Sequence, residues 1–163
     1  MKRSIVMWVF LTLTAAVMFV GVFPLFAQDE PADNTQILLD KLKADKKLVV
    51  AANMELTEAE AKVFWPVYDE YQKELAAINQ RTVKLIESYA ADYNQNTLTD
   101  DKAKELTKEL IAIGKAESKL PESFLPKLNK VLPPKKVVRY LQIENKIRAL
   151  IKYGLAEEVP LVY

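Results

Sequence analysis

Between Phe64 and Tyr89 large side chains return at alternating steps of four and three: Phe64, Tyr68, Tyr71, Leu75, Ile78, Thr82, Leu85 and Tyr89. A 3.5-residue period held this long keeps one stripe facing one neighbour along a whole helix, which neither a sheet nor a set of short helices requires. A helix from Glu58 to about Tyr93 is on the order of 50 Å long at 1.5 Å per residue. That is too long for a compact globule made from a chain of 163 residues. The stripe therefore predicts an extended hairpin or a dimer. Pro66 sits inside the second or third turn, where it lacks an amide and crowds the turn before it, so a kink is expected there.

The segment Leu56-Thr57-Glu58-Ala59-Glu60-Ala61 has the parts of a helix start. Thr57 can accept from the amide of Glu60 while the Glu60 carboxylate reaches back to the amide of Thr57, and Leu56 and Ala61 occupy the staple positions. Glu58 and Glu60 suit the positive end of the helix dipole. After a break at Asn94-Gln95-Asn96-Thr97, Leu98-Thr99-Asp100-Asp101-Lys102-Ala103 repeats this start, with Lys102 in place of the carboxylate, so only half of the capping box is expected.

The third helix carries Ala103, Leu106, Leu110 and Ile113 on one face, continued through Leu120, Phe124 and Val131, and Gly114, Pro121 and Pro126 are expected to bend or break its second half. Pro133-Pro134 forces a turn, with Pro134 opening a fourth helix whose apolar side is Val137, Leu141, Ile147 and Ile151 and whose terminator is Gly154. Before the long helix, a first helix from Thr35 can place Leu38, Leu42, Val49 and Ala52 on one face. No useful strand-like alternation is present, so the expected fold is all-α: an elongated four-helix hairpin, paired as a dimer, with a long second helix kinked at Pro66.

The beginning of the chain reads differently. Lys2 and Arg3 precede an apolar run from Ile5 to Phe23, followed by Pro24 and a small residue, Ala27, before polar Gln28. This is expected to be a signal peptide over 1–27, cleaved after Ala27, which places the protein in the periplasm. The alternative is an uncleaved anchor in the inner membrane formed by residues 5–26, because the run approaches the ~20 residues needed to span a bilayer. Residues 28–34 read as a flexible tether, 35–154 as the helical domain and 155–163 as an apolar C-terminal tail.

The composition narrows the chemistry. The chain has no Cys and no His, which removes disulfides, thiolate and imidazole catalysis and nearly every transition-metal site. A formal charge of +1 gives no global reason to bind nucleic acid. Asp69 and Glu70 have no neighbour in sequence that would separate their pKa values, and adjacent acids such as Asp100 with Asp101 or Glu157 with Glu158 point apart on a helix. No catalytic residue, metal or cofactor is expected. Two features suit the binding of polypeptides. Val63, Phe64, Trp65, Val67 and Tyr68 cover more than one stripe, so Phe64, Trp65 and Tyr68 are candidate client contacts unless they close a core or a dimer seam. Between Lys127 and Lys152 eight basic residues, Lys135, Lys136 and Arg139 among them, are interrupted by one acid, Glu144. They can steer acidic unfolded chains or an anionic membrane surface, or form an ordinary solvated face.

The paired Leu-Thr helix starts of this small helical chain resemble the Spy/CpxP family of periplasmic proteins, whose signature is a repeated Leu-Thr-x-x-Gln motif. The resemblance covers roughly Met54 to Val131 and rests on Leu56, Thr57, Leu98 and Thr99; both Gln positions depart, to Glu60 and Lys102. It implies an elongated hairpin that pairs into a thin curved dimer and acts as an ATP-independent chaperone or envelope-stress modulator. The metal-sensing branch of the family depends on His, which this chain lacks. The stretch Phe64-Trp65-Pro66-Val67-Tyr68 also looks like that of uncharacterised small exported bacterial proteins. The expected function is chaperone-like polypeptide binding; the alternative is a structural or regulatory adaptor docking on one envelope protein.

Overall fold

A computed structural model describes residues 45–162. The expected export segment or anchor, the tether, Leu38 and Leu42 of the first helix, and Tyr163 lie outside the described residues. What is described is helical, without a strand. Helix α1 covers residues 45–54 and is followed by α2 (Glu58–Gln95), α3 (Asp100–Val131) and α4 (Pro134–Glu158). The 38 residues of α2 make a rod of about 57 Å.

Local chemistry sets the boundaries. Thr57 Oγ1 accepts from the Glu60 amide at 3.3 Å and Glu60 Oε2 accepts from the Thr57 amide at 2.8 Å, which completes the capping box. Thr99 accepts from the Lys102 amide at 3.2 Å, and Lys102 returns nothing, so the second start is a half box. Between them, α2 stops at Asn96, which takes the left-handed conformation with φ 58°. Thr97 closes the end by donating its amide to the Asp92 carbonyl at 3.0 Å.

Side-chain pairings fix the directions. Arg81 meets Glu109, Tyr71 meets Phe124 and Glu70 meets Lys127, so α3 runs antiparallel to α2. Phe64 meets Tyr140, Gln72 meets Glu144 and Tyr89 donates its hydroxyl to the Pro160 carbonyl, so α4 runs parallel to α2. Helix α1 runs back along the seam between α2 and α4, with Lys46 at Gln72 and Glu144 and the Asn53 carbonyl at Arg139.

The core concentrates at the end of the bundle that α1 covers. Val50, Met54, Phe64, Tyr68, Tyr71, Leu75, Phe124, Leu128, Val137 and Tyr140 are buried there. Farther along, Ile78, Thr82, Leu85 and Tyr89 are half-buried, with Ala90 and Ile113 the fully buried apolar residues of that half among those described. The stripe is thus closed over its first half and partly open over its second, where the described part of α1 no longer reaches.

Four sequence expectations are corrected. In α1 the inward residues are Val50 and Met54, whereas Val49 and Ala52 are exposed, because the face is set by Lys46 reaching Glu144 one and two turns earlier. In α3 Leu110 is 61 % exposed, since its neighbour Glu109 takes the side facing α2 to pair with Arg81 at 2.8 Å. The second half of α3 is not broken but stays helical through Gly114, Pro121 and Pro126. Pro121 removes the donor for the Glu117 carbonyl, and Arg148 Nη1 from α4 supplies one at 3.3 Å. Finally, α4 passes through Gly154 and ends at Glu158, with the Val159 amide donating to the Leu155 carbonyl at 3.0 Å. The Tyr153 hydroxyl donates to Glu157 at 2.8 Å across that last stretch.

Candidate functional site

Three helices send rings into one cluster. Phe64, Trp65, Tyr68 and Tyr71 come from α2, Phe124 from α3 and Tyr140 from α4. Tyr140 is the hub, with ring centroids 5.2 Å from Phe64, 5.7 Å from Tyr71 and 6.1 Å from Tyr68, all edge-on. Tyr71 is edge-on to Phe124 at 5.2 Å. Such T-shaped contacts add directional attraction to the burial of large rings. The rings also act as spacers: no Cα of α2 lies within 8 Å of a Cα of α4.

A polar seam crosses this cluster. Glu144 is 1 % exposed. Its Oε2 pairs with Lys46 Nζ at 2.9 Å and its Oε1 accepts from Gln72 Nε2 at 2.7 Å. Gln72 Oε1 accepts from the same Lys46 at 2.7 Å, and Gln72 Nε2 also reaches the Tyr140 hydroxyl at 3.3 Å. Arg148 Nη2 donates to the Tyr71 hydroxyl at 3.4 Å. A buried carboxylate is tolerable only when cations and amides replace the water it has lost, and these residues do so. Burial first, and the Glu144 charge second, push the phenols of Tyr68, Tyr71 and Tyr140 above the ordinary tyrosine range. The rings are held neutral, as packing and hydrogen-bonding groups.

The residues singled out from sequence divide between core and surface. Phe64 and Tyr68 are 0 % and 3 % exposed, beneath α1. Trp65 is half-buried, with Lys47 Nζ 5.0 Å above its ring and bound on its other side to Asp69 at 2.8 Å. Lys135 is exposed. Lys136 pairs with Glu60 and donates to the Glu55 carbonyl, and Arg139 pairs with Glu55 at 3.0 Å. Half of the basic run, shared between α3 and α4, is therefore met by acids, since Lys127 pairs with Glu70 and Lys152 with Glu117 as well. Lys136 first, and the Thr57 amide second, hold the Glu60 carboxyl below the usual range. Leu56 is half-buried, and Thr57, Glu60 and Thr99 serve as caps; Leu98 is half-buried at the second start.

Sequence reasoning missed Tyr140, Glu144 and Gln72 as members of this cluster. It also did not single out the apolar side chains that stand in solvent away from α1: Ile111 at 54 %, Leu150 at 62 % and Tyr153 at 66 %, beside Leu110. Leu150 and Tyr153 are three residues apart on α4 and share a face. Among the described residues no group of three or more acids is arranged to hold a metal ion, and no helix is long and apolar enough to cross a membrane. Comparison with family models, with curated proteins and with solved structures finds no match to this chain.

Proposed function

We propose that this chain is an exported, periplasmic binder of other polypeptides that works without nucleotide, as a chaperone-like protein or envelope-stress modulator. The observation that carries the reading is the uneven finish of the bundle. One end has a closed aromatic core, with single apolar residues such as Val63 and Val138 exposed around it, while at the other the α2 stripe is only half-buried and Leu110, Ile111, Leu150 and Tyr153 stand exposed along α3 and α4. Apolar side chains held on a rigid hairpin can engage many unfolded sequences through contacts that require no fixed geometry. The resemblance of the two Leu-Thr starts to the Spy/CpxP family supports the same reading, and the proposal includes pairing of the hairpin and a bend at Pro66. In this arrangement Phe64 and Tyr68 hold the hairpin together at its closed end, Trp65 offers a partial edge there, and Lys135 adds charge that favours acidic clients. No catalytic residue, metal or cofactor belongs to the proposal. Membrane-surface contact enters only through that charge or through residues 5–26 kept as an anchor.

The burial of Phe64 and Tyr68 favours a second reading, an adaptor that docks on one envelope partner and offers no general client surface. Aggregation of an unrelated unfolding protein separates the two. The chaperone reading expects a several-fold molar excess of the protein to slow aggregation without nucleotide, and a variant with Leu110, Leu150 and Tyr153 changed to Ser to lose most of that effect. No slowing by the unaltered protein refutes it in favour of the adaptor.

A further inference from the structure

We propose that the seam between α2 and α4 takes the α1 helix of a second copy of this chain, so that two copies pair by exchanging α1 and each completes the other's buried polar cluster.

The hinge is the first ground. Residues 55–57 join α1 to α2, and Glu55 holds φ at 50°, the left-handed region, without being glycine or asparagine. That conformation brings α1 back along its own chain, and it is strained for a residue with a Cβ. An extended Glu55 sends α1 away from its own groove. The capping box that starts α2 begins at Thr57 and survives the change. Short strained hinges are the feature that invites exchange of an element.

The composition of the contact is the second ground. The described part of α1 buries Val50 and Met54 completely, and the rest of its grip is polar: Lys46 on Glu144 and Gln72, and Lys47 on Asp69 and over Trp65. The contacts of Lys46, Lys47, Val50 and Met54 depend on the groove and form equally well when the helix arrives from a partner, whereas those of Glu55 with Lys136 and Arg139 belong to the hinge and change with it. An empty groove would leave Glu144 without its cation, so neither copy is complete until some α1 fills it.

The third ground is the surface at the hinge end. Val63 at 46 % and Val138 at 54 % exposure lie within two turns of the starts of α2 and α4. At the same end of the bundle Glu58 and Lys135 are exposed, while Glu55 and Arg139 already pair with each other at 3.0 Å. Exposed apolar, acidic and basic groups at one end of the bundle suit the self-complementary contact that a two-fold pair requires.

The test uses protein recovered from cells expressing the full chain. Lys46→Glu alone and Glu144→Lys alone each place like charges together in an unexchanged fold. When α1 is exchanged between the two variants, both grooves regain an opposite-charge pair. Co-expressed with different affinity tags, the variants are expected to co-purify one to one, with twice the single-chain mass and a melting temperature above that of either alone. The unaltered protein is expected to be a dimer by light scattering. Glu55→Gly, which removes the penalty at two hinges, is expected to weaken it on the order of thirtyfold to a thousandfold. If either charge variant does not fold alone, recovery of the soluble complex only on co-expression still supports exchange. A monomeric protein at all concentrations overturns the proposal. So does a dimer whose stability ignores Glu55→Gly, or a co-expressed pair that behaves as the sum of its members. None of these readouts depends on client binding, so chaperone activity can fail while exchange holds, and the reverse.

Discussion

Raising the pH should unfold this protein through its tyrosines. Tyr68, Tyr71 and Tyr140 are pushed above the ordinary tyrosine value, chiefly by burial. For a group whose folded pKa is raised, the stabilisation is complete below the unfolded pKa, about 10 for tyrosine, and is lost as pH climbs towards the folded value. Each withheld proton costs about 1.4 kcal/mol per pH unit in that window, so three phenols together remove about 4 kcal/mol per unit. Against a domain stability of ~5–15 kcal/mol, a slope of that size just above the unfolded value is a large share of the whole, so cooperative unfolding should follow in the strongly alkaline range. The assay is an alkaline titration followed at once by tyrosinate absorbance and by helical circular dichroism. The tyrosinate absorbance of the three buried rings should appear together with the loss of helix. Tyr140→Phe should lower the slope of stability against pH by about one third, and this difference is insensitive to lysine deprotonation, which both proteins share. Complete tyrosine ionisation with the helix signal intact would refute the buried cluster and the role of Tyr140 as its hub.

Three other perturbations test separate parts of the structure. Thr57→Ala should cost about 1 kcal/mol in chemical denaturation, and Thr99→Ala less, because only Thr57 has a reciprocal partner in Glu60; equal losses would mean that the full box adds nothing. Arg148→Met should cost less in a Pro121→Ala background than in the unaltered chain, with a coupling of about 0.5–1.5 kcal/mol. Replacing the proline returns the missing donor to the Glu117 carbonyl, while the contact of Arg148 with Tyr71 is lost in both backgrounds; zero coupling removes Arg148 from that role. Lys136→Met should raise the Glu60 pKa towards the ordinary carboxylate range in an NMR titration, since Lys136 is the largest cause of its lowering; an unchanged value would assign the effect to the cap alone.

Much of the helical layout was legible because it depends on neighbours in sequence. The capping box at Thr57, the half box at Thr99, the break within residues 94–97 and the start at Pro134 are each decided within about four residues. The first half of the 3.5-residue stripe is also buried as its period implies. What was illegible depends on another helix. Pro121 looks like a breaker until Arg148 arrives from α4 to satisfy the carbonyl it orphans. Gly154 looks like a terminator, yet a glycine terminates a helix only when the chain uses its left-handed conformation, and here the helix continues to Glu158. In α1, apolar letters select Val49 and Ala52, whereas the packed face is chosen by a lysine.

The same reason explains why half of the aromatic and polar cluster was passed over. The inward line of α4 runs Val137, Tyr140, Glu144, Ile147, Ile151, with steps of three, four, three and four. It has the period of the α2 stripe, and a reading that admits only aliphatic letters loses it at Tyr140 and Glu144. An acid in register with a stripe faces a neighbouring helix, and the cost of stripping its water then demands a cation or an amide from that neighbour. Gln72, next to Tyr71 on the α2 stripe, and Lys46, one turn before Val50 on α1, are those groups. Glu144 thereby fixes which turn of α1 lies against which turn of α4: sliding α1 by one turn would leave the carboxylate opposite Val50. The apolar pattern brings the helices together, and this single acid selects the register in which they stop.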